Sequence, residues 1–117
     1  MSDDPQLVRK FQRELNAGTV SLVLLAILGH AAEPMYGYQI AKQLEAVEDG
    51  SGMFKQGTLY PVLRNMAAAG LLESEVEPSI TGPPRRYYRI TPRGREVLAA
   101  WRRAWDTTRD LVDALLT

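Results

Sequence analysis

Apolar residues recur at helical spacing through most of this chain, with one short stretch of strict alternation near residue 75. Leu7, Phe11 and Leu15 stand four apart, and Val20 to Leu28 is apolar except for Ser21. That pattern predicts a first helix, buried on most sides in its second half and running toward His30. Asp4-Pro5 supplies its start, because Asp can accept from an orphan N–H and Pro lacks that donor anyway. Gly18 interrupts the run at about 1 kcal/mol relative to Ala, marking either a close contact or a break into two helices.

Past Glu33-Pro34, Gly37 opens a second helix of about three turns with Tyr38, Ile40, Ala41 and Leu44 on one face, ending at Asp49-Gly50-Ser51-Gly52. A third begins near Gln56 to Thr58, where Pro61 is tolerated because first-turn N–H groups have no intrahelical acceptor to lose. Leu59, Val62, Leu63 and Met66 form its apolar face. Ala69-Gly70-Leu71 ends it, with Gly in the left-handed cap and Leu folding back onto the last turn. Leu72 to Glu77 then alternates as a half-buried strand, Leu72, Ser74 and Val76 inward and three glutamates outward. The turn residues of Pro78 to Pro84 lead to a second strand, Arg85 to Ile90, whose arginines can pair with the glutamate row.

Thr91-Pro92 repeats the cap-and-proline start. The last helix carries Leu98, Trp101, Trp105, Thr108, Val112 and Leu115 at alternating spacings of three and four, a heptad seam suited to a second copy of the chain. Three helices, a β-hairpin and a final helix predict a mainly α fold with a small β-hairpin (α+β), in the order of a winged helix-turn-helix.

The 117 residues amount to one domain with a modest core, which a partner chain would help. Fourteen basic and fourteen acidic residues cancel, an argument against nucleic acid unless the charges are segregated. They are: seven arginines between Arg85 and Arg103 meet only Glu96. No cysteine is present, and the single His30 cannot build a metal site, so thiolate and zinc chemistry are excluded and no cofactor is expected. His30 reads as a cap or loop residue, and Met35, Met53 and Met66 as core or gap-filling. With no nucleophile–base pair or phosphate loop, an enzyme is not expected. The acidic start, Met1 to Pro5, does not read as a signal peptide, and Val20–Leu28 is too short to span a bilayer. A cytoplasmic protein without membrane contact is expected.

Leu28-Gly29, Tyr36-Gly37-Tyr38-Gln39-Ile40, Gly57-Thr58-Leu59-Tyr60-Pro61-Val62-Leu63, Gly70-Leu71-Leu72 and Gly82-Pro83-Pro84-Arg85-Arg86-Tyr87-Tyr88-Arg89-Ile90-Thr91, followed by Gly94, resemble in order and spacing the signatures of the PadR family. The resemblance covers roughly residues 18 to 98. The single C-terminal helix is similar to that of the compact PadR subfamily. The resemblance implies a homodimer whose last helix packs on the partner's first and last helices, with repression relieved by a small molecule. It divides the chain into a DNA-binding unit, residues 1–91, whose first helix also serves the dimer, and a dimerisation helix, residues 92–117.

In a helix-turn-helix the second helix of the pair enters the major groove of double-stranded DNA, here through Lys55 to Arg64. Gln56 and Thr58 are candidates for base edges; Lys55 and Arg64 suit phosphate. Tyr60 either donates its hydroxyl to phosphate or belongs in part to the core. Tyr38 and Lys42 fall where the preceding helix crosses the backbone, although Lys42 also fits ordinary helix surface. Arg85 and Arg86 follow the wing tip and are candidates there; the competing reading is that Arg85 and Arg89 merely balance the glutamate row.

Trp101 and Trp105, one turn apart, suit either plain packing or a dimer contact with Leu98, Thr108, Val112 and Leu115. Some compact PadR members stack flat aromatic ligands on a tryptophan matching Trp105 in a pore between subunits walled by the first helix, which implies a small aromatic or hydrophobic effector at such a dimer pore, with Phe11, Leu15, Trp101 and Trp105 as candidates to line it. The expectation is thus a homodimeric repressor binding an inverted repeat. The alternative is a winged-helix protein-interaction module without sequence-specific DNA binding.

Overall fold

The computed structural model of the chain describes residues 4–47 and 56–117. Its elements run α1 (Pro5–His30), β1 (Met35–Tyr36), α2 (Gly37–Val47), α3 (Gln56–Ala68), β2 (Leu72–Glu77), β3 (Arg85–Ile90) and α4 (Pro92–Leu116). Asp4 caps α1 by accepting from the Gln6 N–H at 2.9 Å, with Pro5 at the first helical position. The helix is continuous through Gly18, where a Cβ would find nothing within 4 Å. The glycine therefore marks neither a break nor a close contact within this chain.

The end of α3 follows from Gly70, at φ +83°. Its N–H donates to the Ala67 carbonyl at 3.0 Å, and that of Leu71 reaches the Met66 carbonyl at 2.9 Å, a Schellman cap that turns Leu71 inward. The core lies where α1, α2 and α3 meet: Leu24, Leu25, Ile40, Leu59 and Leu63 are fully buried. Each contributes about 1.5–3 kcal/mol of transfer free energy.

The sheet has three strands in the order β1-β3-β2, all antiparallel. The hairpin alone was expected; the third strand is Met35–Tyr36, paired with Tyr88 and Tyr87. A two-residue strand has no alternation to read, so no sequence pattern announces it. The burial expected for one face of β2 is met only at Leu72, since Ser74 and Val76 are exposed. The hairpin outruns the core, as a wing must if it is to touch something else. The outward row pairs as anticipated at Arg89, whose guanidinium reaches Glu73 at 2.8 Å.

Thr91 caps α4 by accepting from the Gly94 N–H at 2.9 Å. Val97, Leu98 and Trp101 pack against the core, and beyond them the helix leaves the body. Gly29 lies beside Leu98 while Phe11 shares a groove with Thr108, so α1 and α4 run antiparallel. The radius of gyration is 16.3 Å. A compact chain of this length would have about 13 Å, and the excess reflects the projecting helix ends.

Candidate functional site

Two surfaces collect the candidate residues. The first gathers the start of α2, the start of α3 and the base of the wing. Gly37 is its centre: a Cβ there would stand 2.2 Å from Cε1 of Tyr60, so the absent side chain lets the α3 tyrosine lie against the α2 backbone. Tyr60 is consequently part packing and part surface, 38% exposed. Tyr38 projects from the next position and is half exposed.

Lys42 stands 5.5 Å from the Tyr38 ring centroid and 3.5 Å from Glu45. Glu45, and then the Tyr38 phenol, raise the lysine pKa from its ordinary value, so it carries its charge throughout the neutral range. The ion pair is open to solvent, and such a pair yields readily to a phosphate. Thr58 and Arg64 are exposed on α3. Lys55 lies outside the described residues, and of Gln56 only the helical backbone is described.

Arg85 is placed differently from a charge that balances the glutamate row. Glu77 is its cross-strand partner on β2, yet its guanidinium lies over the Tyr36 ring of β1, 4.6 Å from the centroid. Arg86 points to the opposite face of the sheet and donates to Ser74 Oγ at 3.0 Å. The two adjacent arginines are therefore not equivalent. Tyr36 and Tyr87 were not anticipated as site residues; their rings meet edge to face at 5.3 Å. The Tyr-Gly-Tyr spacing, which sets two rings astride the α2 start, is the signal that could have found Tyr36.

The second surface is a groove of about 530 Å3 between α1 and α4. Phe11, Leu15, Trp101 and Trp105 all line it, with Thr108 at one end. Gly18 and Leu22 continue the Phe11–Leu15 stripe along α1, and their spacing of seven and eleven from Phe11 is a signal the sequence carries. Of the seam residues, Leu98 is turned to the chain's own core against Gly29, while Val112 and Leu115 are exposed.

Three helices closed by an antiparallel wing define a winged helix-turn-helix protein. Residues 24–100 match the family model described as the transcriptional regulator PadR-like family. The chain belongs to that family, whose members are transcriptional regulators rather than enzymes, and membership implies DNA binding. The transcriptional regulator Rv3488 of Mycobacterium tuberculosis is 39% identical over 98 residues, covering 83% of this chain and 81% of that one. A PadR family regulator from Eggerthella lenta is 35% identical, with a TM-score of 0.80 over 95% of this chain and 93% of its own. A PadR-like regulator from Bacillus cereus is 30% identical, with a TM-score of 0.71 over 89% and 97%. Among the described residues no helix is long and apolar enough to cross a membrane.

Proposed function

We propose that the chain is a homodimeric repressor that reads an inverted-repeat operator and is released by a small aromatic or hydrophobic effector. The observation that carries DNA reading is the convergence at Gly37, where Tyr60 of α3, Tyr38 of α2 and, through Tyr36, Arg85 of the wing are brought together. On this reading residues 1–91 form the DNA-reading unit and residues 92–117 the dimerising helix. Thr58, with Gln56, meets base edges; Arg64, Lys55, Lys42, Tyr38, Tyr60 and Arg85 meet phosphate, and Arg86 serves the wing's other face. Its place of work is the bacterial cytoplasm.

Dimerisation is supported by apolar side chains that none of the described residues covers. Leu7, Val8, Phe11, Leu111, Val112, Leu115 and Leu116 are all exposed on the two projecting helices. A two-fold dimer would place two copies of α3 at a fixed spacing, hence an inverted repeat. The effector's chemistry is that of the α1–α4 groove, whose walls are largely apolar with two indole faces.

Mobility shifts on a duplex covering the chain's own upstream region test the reading. Saturable, sequence-selective binding by a dimer is expected. A dimer with no affinity for DNA at low salt would replace the reading with a protein-interaction module.

A further inference from the structure

Four side chains from the wing and α2 form a continuous strip: Arg85, Tyr36, Tyr38 and Lys42. The Arg85 guanidinium caps the Tyr36 ring at 4.6 Å. The Tyr36 and Tyr38 rings are stacked, 20° from parallel with centroids 6.4 Å apart. The Lys42 ammonium stands 5.5 Å from the Tyr38 centroid. Two cations from different elements are thus joined through two aromatic rings.

We propose that Tyr36 is a positioning residue that seats the wing's Arg85 beside α2, so that Arg85 and Lys42 act as one two-cation unit on the phosphate backbone of DNA. The proposal rests on the DNA-binding reading above and adds to it a residue and a coupling.

Three observations support it. Tyr36 is fixed from both sides: it pairs with Tyr87 in the sheet, and its backbone N–H donates to Gln39 Oε1 at 3.1 Å, which ties it to the first turn of α2. Arg85 has a carboxylate within cross-strand reach, Glu77, but among the described residues it makes no ion pair and takes the ring on the other neighbouring strand. Its charge is therefore unspent. A cation held over a ring keeps its N–H donors unpaired with any carboxylate, and a guanidinium offers them as a fork that suits a bidentate phosphate contact. The Pro83-Pro84 pair just before Arg85 restricts the backbone that delivers it.

Binding to a duplex covering the chain's own upstream region, measured across a salt series, tests the proposal. The set is the full-length wild type, Tyr36→Leu, Tyr36→Phe, Arg85→Ala and the Tyr36→Leu/Arg85→Ala double variant. Tyr36→Leu should weaken binding about two- to fivefold, the factor of a cation–π contact at an exposed site, and Arg85→Ala, which removes the phosphate contact itself, at least as much. The double variant should be no weaker than Arg85→Ala alone, and Tyr36→Phe, which keeps the ring face, should bind as wild type. Arg85→Ala should also reduce the magnitude of the salt slope by about 0.9.

Additive losses in the double variant, or a Tyr36→Phe as weak as Tyr36→Leu, would overturn the proposal. If Tyr36→Leu does not fold, Arg85→Lys decides. It keeps the charge and loses the planar guanidinium, and wild-type affinity for it overturns the seat. An unchanged salt slope in Arg85→Ala removes the two-cation unit while leaving the regulator reading intact. No saturable binding by the wild type removes both.

Discussion

Thr91 Oγ1 donates to the Gly70 carbonyl oxygen across 2.7 Å, fastening the residue that starts α4 to the one that ends α3. The same oxygen accepts the Gly94 N–H at 2.9 Å, and the Thr91 N–H donates to the Leu71 carbonyl at 3.1 Å. One hydroxyl therefore caps a helix and bridges two elements. Thr91→Val keeps the shape and should cost about 1–2 kcal/mol, the sum of a lost cap and a lost hydrogen bond. Thr91→Ser should recover most of it. Urea unfolding of the three proteins checks this, and equal stability of the Val and Ser variants would sink it.

Two glycines that lie beside Ile90 should respond unequally to an added methyl. On Gly94 a Cβ would stand 2.2 Å from the Leu71 carbonyl oxygen and 2.7 Å from Ile90 Cγ1, and backbone cannot step aside. Gly94→Ala should cost about 3 kcal/mol, the upper range for overpacking. On Gly29 the obstacle at 2.9 Å is Leu98 Cδ2, the far end of a flexible side chain. There the helix gains about 1 kcal/mol from replacing glycine, so Gly29→Ala should be close to neutral. The urea midpoints of the two variants separate these outcomes.

The helices and the hairpin were legible because each is announced by local chemistry: Asp4-Pro5 and Thr91-Pro92 as starts, Gly70-Leu71 as a stop. The long-range consequences were less so. Periodicity placed Leu98 on a seam with Val112, but it cannot say that the seam begins inside the chain's own core, because that depends on Gly29 of a helix some seventy residues away. Likewise Arg85 and Arg86 look alike in sequence. Strand alternation sends them to opposite faces, and only the unannounced β1 gives Arg85 a ring to lie on. Phe11, Leu15, Trp101 and Trp105 line one groove, but periodicity puts them only on two separate stripes, and it was the resemblance to compact PadR members that implied walls from the first helix around Trp105.

The split of the seam yields a prediction about assembly. Val112 and Leu115 are exposed and touch nothing in the core, whereas Leu98 packs against it. On the proposed homodimer, Val112→Asp combined with Leu115→Asp should shift sedimentation from dimer to monomer, because each would place a carboxylate in what that reading makes an apolar contact, at a cost of about 1–3 kcal/mol. Leu98→Ala should instead lower the unfolding midpoint. A double variant that still sediments as wild type would remove this half of α4 from the interface.

Gly18 separates stability from ligand binding. Nothing lies within 4 Å of where its Cβ would be, so Gly18→Ala should stabilise α1 by up to about 1 kcal/mol. Yet Gly18 lines the groove opposite Trp101 and Trp105, and a methyl there narrows the space for a flat ligand. Planar aromatic compounds should quench tryptophan fluorescence in the wild type, lose that quenching in Trp105→Ala, and titrate more weakly against Gly18→Ala despite its higher melting temperature. The same compounds should release the protein from its upstream duplex. Quenching that leaves DNA affinity untouched would make the groove a binding site without a regulatory role, and unchanged titration of Gly18→Ala would place the ligand elsewhere on the tryptophans.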